Sequence, residues 1–329
     1  MKQTLASVLG LTLGLTFTVS AASAQTVLRI AGNFPEEHTA TGAMEIFKEE
    51  VESLTSGEIT VQNFPAMQLG GASENVDQVR SGAIFAVFTS IAYFTRSVPE
   101  LEAVSLPFLF DSREKAFSVM DGEVGDVMDA ALLEEGFVNL GYMELGFRHV
   151  TNSARPITSL EDFAGLDIRL QPNEVHLDTF RAIGANPQPL DISELYSALQ
   201  QGVLDGQENP YNIIYTRRFF EVQDYLSDSG HFFDFINVVA NADAFDALSP
   251  EHQEAVRTAM RTAVEWQRAE AAKLDLEFRE KLIAEGMQYD PLPDAERARL
   301  REATMGIAEQ LKERVDPAVI DLVLSEVAG

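Results

Sequence analysis

The 329-residue chain has no cysteine, one tryptophan and five histidines. Without a thiol, disulfides, zinc–thiolate sites, iron–sulfur clusters and cysteine nucleophiles are excluded. Five scattered histidines form no evident ligand cluster, so neither a metal nor a cofactor is expected. Positive charge is scarce too: 24 Lys and Arg against 52 Asp and Glu leave a net charge of −28. A nucleic-acid partner would call for a basic face, and anionic lipid would repel such a chain. Several catalytic templates are missing as well. There is no G-x-S-x-G elbow, P-loop, H-E-x-x-H, EF-hand loop or G-x-G-x-x-G.

The first 24 residues read as a secretory signal peptide. A short positive start at Lys2 precedes an apolar stretch from Leu5 to Val19, and Ala22-Ser23-Ala24 is a small-residue cleavage site. The apolar stretch is shorter than the ~20 residues that span a bilayer. Cleavage after Ala24 is expected, leaving an exported mature chain from Gln25 with no insertion in the membrane.

The mature region opens with strand–helix–strand–helix–strand: Val27–Gly32, Glu36–Leu54, Ile59–Phe64, Ser73–Arg80 and Ala83–Phe88. That order predicts α/β architecture with a mostly parallel sheet. A second α/β unit follows, with strands at Phe137–Tyr142, Arg148–Thr151, Leu166–Leu170 and Phe232–Val239. Helices are expected at Val175–Ile183 and Ser193–Gln201, with Ser73 and Ser193 as N-caps. From Pro250 to about Glu285 runs a helix with an apolar stripe of Ala255, Ala259, Ala263, Trp266 and Ala269. At 1.5 Å per residue it is ~50 Å long, enough to bridge two units. Helices at Asp294–Glu313 and Ala318–Val327 complete the chain. No linker separates the units, which implies that the chain crosses between them more than once.

Several constellations carry chemistry, each with a plainer alternative. Gln207-Glu208-Asn209-Pro210 follows an Asp-Gly turn and reads as turn chemistry or as a binding loop. Arg148 and Arg169 each lie inside a strand-like apolar run. A buried guanidinium needs a partner, either a structural carboxylate or a ligand carboxylate gripped by its fork. Gly70-Gly71 before a helix is an ordinary loop or an anion-binding helix start. His231 beside Phe232 reads as a structural histidine. Phe85, Phe88, Tyr93 and Phe94 read as core, and Trp266 as packing on the long helix.

Taken in order, these segments resemble the solute-binding proteins of tripartite ATP-independent periplasmic (TRAP) transporters, the dicarboxylate-binding-subunit family. The resemblance covers the chain from about Thr26 onward. Its most specific parts are Pro65-Ala66-Met67-Gln68-Leu69-Gly70-Gly71, the run from Phe147-Arg148 through Thr151-Asn152 to Arg155-Pro156-Ile157, the segment Leu160–Arg169, and Gly184-Ala185-Asn186-Pro187 continuing through Ser193 to Pro210. It implies a two-lobed fold, each lobe a β-sheet flanked by helices, with the long C-terminal helix bridging them. Lobe I would comprise 25–146 plus about 235–274, and lobe II 147–234 plus about 275–329. It further implies that Arg169 pairs with a ligand carboxylate, that Arg148 lines the same pocket and that Asn209 adds a polar contact. Asn33, Thr89, Ser90 and Glu74 would face the cleft, and His231 would stand behind the arginines.

One position departs from the sialic-acid-binding members of that family. Pro172 stands where they carry a ligand-touching Asn, which disfavours sialic acid. Gln171, Asn173, Glu74, Asp191 and Asn212 would then offer hydroxyl partners, which suits a sugar acid such as a uronate. The function implied is that of a periplasmic subunit delivering a carboxylate-bearing organic acid to membrane permease subunits. Two alternatives stand beside it: an exported lyase or isomerase acting on acidic sugars, and a simple C4-dicarboxylate or keto-acid binding protein. A sensor kinase in place of the permease would use the same site.

Overall fold

The computed structural model describes residues 25–329, so the expected signal peptide lies outside the described residues. The first unit runs β1 (Thr26–Gly32), α1 (Thr39–Leu54), β2 (Ile59–Phe64), α2 (Ala72–Arg80) and β3 (Ala86–Ser90), then α3 (Arg113–Met120) and α4 (Glu123–Glu134). The second contains β4 (Phe137–Asn152), β5 (Asp167–Leu170), α5 (Glu174–Ala182), β6 (Asn186–Pro189), α6 (Ile192–Gln200), β7 (Gly206–Asn209), α7 (Tyr211–Thr216) and β8 (Tyr225–Asn241). The remainder is α8 (Ala242–Asp246), α9 (Pro250–Ala284), β9 (Gln288–Pro291), α10 (Asp294–Thr304), α11 (Ile307–Leu311) and α12 (Pro317–Ala328).

All nine strands form one mixed sheet in the order β2-β1-β3-β8-β4-β7-β5-β6, with β9 paired to β8. Parallel pairing holds within β2-β1-β3 and within β7-β5-β6. The two groups are joined by the long antiparallel pair β4 and β8. Sixteen residues at ~3.3 Å each give β4 a reach of ~50 Å. One end of β8 pairs with β3 and one end of β4 with β7, so both strands serve both groups.

The sequence pattern suggested two separate strands here, because Met143-Glu144-Leu145-Gly146 breaks the apolar run. The chain instead continues through with a bulge between Glu144 and Gly146. Gly146 adopts φ +118° there, a conformation that a side chain would oppose. The tetrad Gln207–Pro210 also differs from expectation. Its first three residues form the buried strand β7, not a loop.

The long helix α9 packs on α1, β4 and α7 and so touches both groups. Its buried line is Ala255, Ala259, Ala263, Gln267 and Ala271, a strict i, i+4 row. Ala269 is exposed and Trp266 sits at the edge, 38% exposed, contrary to the stripe read from sequence. The Trp266 ring lies against Gly42 of α1, where a Cβ would come within 2.6 Å of it. Gln267, though polar, is wholly buried. It donates to Thr39 Oγ1 and the Glu144 carbonyl and accepts from the Glu144 N–H.

Two N-caps also differ. Gly71 precedes α2 and Asp191 caps α6, while Ser73 and Ser193 both bond to Asp191. The expected helix Asp294–Glu313 is broken at Gly306, which divides it into α10 and α11.

Because Gln267 satisfies both backbone groups of Glu144, Gln267→Leu would leave them unpaired and buried. It should lower stability by about 1–3 kcal/mol, which calorimetry would read as a melting point several degrees lower. A change within one degree would exclude this clasp as a stabilising feature.

Candidate functional site

Arg148 lies on β4 with no exposed surface. Its fork meets both carboxylate oxygens of Glu208 on β7, and its Nη1 donates to Asp234 Oδ2 on β8 at 2.8 Å. Nη2 also donates to Asn209 Oδ1 at 3.1 Å. Ser90, at the end of β3, donates to Asp234. His231 Nε2 contacts Glu208 Oε2 at 3.2 Å, while its Nδ1 meets Ser229 Oγ. Burial would push the Glu208 carboxyl up, but the Arg148 guanidinium and the His231 contact hold it well below the usual range. At Asp234 burial prevails over Arg148 and the value is raised. Burial also lowers His231. The structural alternative is therefore the one realised at Arg148: its charge is already matched.

Arg169 on β5 is equally buried but placed differently. Its Nε donates to the Leu190 carbonyl at 2.8 Å and its Nη2 to Tyr93 Oη at 3.0 Å. Nη1 has no partner, and no carboxylate among the described residues lies within ion-pair reach. Tyr93 also accepts from the Ile192 N–H, and burial pushes its hydroxyl pKa up.

Next to this pair is a small cavity of about 20 Å³, whose wall includes Asn33, Thr89, Tyr93, Gln171, Asn209 and Arg217. Its apolar lining comes from Phe34, Leu145, Ile192 and Ile213. Arg169 stands one layer behind, bonded to the wall residue Tyr93. Asn33 Nδ2 donates to Asn75 Oδ1, and Asn75 in turn donates to the Leu69 carbonyl. That chain fixes the amide orientation, and Asn33 Oδ1 is left buried without a partner. Thr89 Oγ1 and Gln171 Oε1 are also unpartnered. Such a set of unmet buried groups is what a small polar ligand completes.

A family profile described as "Bacterial extracellular solute-binding protein, family 7" matches residues 30–314. The chain belongs to this family, which includes the TRAP solute-binding proteins. It is 34% identical over 272 residues to the 2,3-diketo-L-gulonate-binding periplasmic protein YiaO of Escherichia coli, covering 83% of this chain and 81% of that one. Its fold is similar to the sugar acid binding protein DctPAm of Advenella mimigardefordensis in complex with galactonate. There the TM-score is 0.89 at 30% identity, over 92% of this chain and 97% of the other. A TRAP periplasmic solute-binding protein of Roseobacter denitrificans with bound β-D-glucuronate matches with TM-score 0.86 at 30% identity, over 91% and 99%. The two-lobed α/β architecture and the TRAP relationship expected from the sequence are thus established.

Within this TRAP-family fold, several residues expected at the pocket are engaged elsewhere. Asn173 caps α5, accepting from the His176 N–H and donating to Ser105. Asp191 caps α6 through Ser193 and reaches across to the N–H and hydroxyl of Ser73 at the start of α2. Burial opposes its charge, but these four donors lower its pKa. Asn212 donates to the Leu145 carbonyl. Glu74 is exposed and accepts from Gln78. None of these four lies on the wall of this cavity: helix caps and a backbone carbonyl engage Asn173, Asp191 and Asn212, and Gln78 engages Glu74. Arg148 is likewise off the wall, as its carboxylates surround it. Asn33, Thr89, Ser90, Gln171 and Asn209 do lie on it, though the Ser90 hydroxyl is committed to Asp234.

Two residues escaped the sequence reading. Arg217 follows α7 and lines the cavity, whereas its neighbour Arg218 is exposed and paired with Glu221. Nothing in an Arg-Arg pair tells which one turns inward. Asn237 faces Thr89 across the β3–β8 pair, with both amide atoms unpartnered. A lone Asn in the apolar run Phe235–Val239 was a usable signal.

His38 and His176 beside this region are buried, and desolvation takes both down to about 3 from 6.5. Folded imidazoles then stay neutral where unfolded ones protonate. Their contribution to stability is complete above about pH 6.5 and is lost as pH falls toward 3, by ~1.4 kcal/mol per pH unit for each histidine. Denaturant unfolding at pH 7.5 and 5.0 should show wild type losing more stability on acidification than a His38→Asn/His176→Asn double variant; the comparison cancels Glu144, whose carboxyl burial raises to about 7 and which acts in the opposite direction. The same pH dependence in both proteins would contradict these depressed values.

Proposed function

We propose that this chain is the periplasmic substrate-binding subunit of a TRAP transporter, capturing a sugar acid such as an aldonate or uronate for delivery to membrane permease subunits. The observation that carries the reading is Arg169: a fully buried guanidinium, without a carboxylate and with Nη1 unpartnered, next to a small cavity with Asn33, Thr89 and Gln171 on its wall. An unmatched buried charge costs several kcal/mol, and a ligand carboxylate is the fork's natural complement. Asn33 Oδ1 needs a donor, which a bare carboxylate lacks and a hydroxyl supplies. That favours a hydroxylated acid over succinate-like ligands.

Sugar acids recur among the ligands of the relatives, as 2,3-diketo-L-gulonate, galactonate and β-D-glucuronate, beside one relative with bound succinate. The overall charge of −28 is no obstacle. The Debye length is ~8 Å at physiological salt, so distant surface carboxylates are screened. In this reading lobe I is 25–146 plus about 235–274, lobe II is 147–234 plus about 275–329, and export follows cleavage after Ala24. Among the described residues no helix is long and apolar enough to cross a membrane.

The chain acts as a binder and not as a lyase or isomerase in this proposal. Three candidate bases are engaged or distant: Tyr93 by two donors, His231 by Ser229 and Glu208, Glu74 at the surface.

Thermal shifts of the mature chain against aldonates, uronates, dicarboxylates, keto acids and neutral sugars test this. A ligand at ~100 times its Kd adds ~2.7 kcal/mol, several degrees for a protein of this size. A sugar acid should shift wild type, and Arg169→Ala should remove the shift. A shift that survives in Arg169→Ala, or none with any acid, refutes the assignment.

A further inference from the structure

Arg217 lies between two parts of the cavity wall. Its Nη2 donates to the Asn33 carbonyl at the end of β1 and lies 3.9 Å from Met67 Sδ. Its Nε is buried without a partner, and no carboxylate among the described residues lies within ion-pair reach. Burial lowers its pKa to about 10, and the like charge of Arg169 adds to that effect. Arg217 and Tyr93 share the cavity wall, Arg169 is bonded to Tyr93, and Asp191, outside ion-pair reach of either guanidinium, only partly offsets the lowering of Arg217.

The charges around the cavity can be counted. Arg148, Arg169 and Arg217 contribute +3, and Glu208 and Asp234 contribute −2, leaving +1. His38, His176 and His231 are neutral at pH 7 because burial lowers all three. Asp191, off the cavity wall, is matched by the backbone N–H groups of Ser73 and Ser193, at the starts of α2 and α6. Helix N-termini carry about half a positive charge each.

We propose that Arg217 is a second ligand-binding guanidinium, sharing one ligand carboxylate with Arg169, and that the site therefore selects a polyhydroxylated monocarboxylate over the matching dicarboxylate. One negative charge neutralises the buried set. A second would remain in a low-dielectric cavity with no counter-charge. The inference rests on the sugar-acid reading above and narrows it to the aldonate–uronate class, excluding aldarates.

Titration calorimetry with ligand triplets that differ only in charge tests this directly: aldonate, aldarate and alditol of the galacto, gluco and manno series. Wild type should bind the aldonate of its preferred series at least ~10-fold more tightly than the aldarate and ~100-fold more tightly than the alditol. Arg217→Gln should weaken aldonate binding at least ~10-fold, and Arg217→Lys should weaken it less, with unliganded melting points near wild type. An aldarate bound as tightly as the aldonate overturns the inference, whether or not the variants fold. So does an Arg217→Gln affinity within twofold of wild type while Arg169→Gln abolishes binding, which leaves the sugar-acid reading standing. Failure of every acid to bind wild type removes that reading and this inference together.

Discussion

Arg148 holds together four strands of the sheet. Its guanidinium, on β4, takes the two oxygens of Glu208 from β7 and one oxygen of Asp234 from β8, and Asp234 is held in turn by Ser90 at the end of β3. The cluster lies where the two parallel groups of strands meet, at the bulged middle of β4. Three charges without water are tolerable only when each finds its partners in good geometry. Removing Arg148 would leave two carboxylates uncompensated in the interior. The cluster therefore constrains how β4, β7 and β8 approach one another, and so where the cavity beside them forms.

With Arg148 matched, Arg169 and Arg217 stand out by contrast. Arg169 and Arg217 have hydrogen bonds to carbonyls and a tyrosine but no carboxylate. Around them Asn33, Thr89 and Gln171 hold unmet hydrogen-bonding atoms. A protein with 52 acidic residues has ample carboxylates to match two arginines, and the proposed binding of an outside anion rests on these two having none. Competition for partners explains the residues that turned away from the cavity. Asp191, Asn173 and Asn212 have short polar side chains next to helix starts, where free backbone N–H groups compete for them.

The bridging helix α9 shows how packing reverses a reading by residue type. Its apolar stripe seemed to run toward Trp266 and Ala269, yet the buried row continues through Gln267. The glutamine is tolerated because it meets both backbone groups of Glu144 beside the β4 bulge and Thr39 on α1. A polar residue at a helix crossing can be buried when the facing strand offers it a donor and an acceptor.

The sequence by itself determined the alternation of strands and helices, the long helix after Pro250, the family, and the two strand arginines as residues of consequence. These follow from local periodicity and from short motifs, which neighbours in the chain encode. It did not decide which arginine would be matched. Arg148 and Arg169 look alike in their apolar runs, and the difference arises because Glu208 and Asp234, 60 and 86 residues away, face only the first. Nor did it separate Arg217 from Arg218, whose directions depend on how the end of α7 packs against β1. Tertiary structure alone decided these points, because a buried charge is defined by its partners, and those partners come from distant strands.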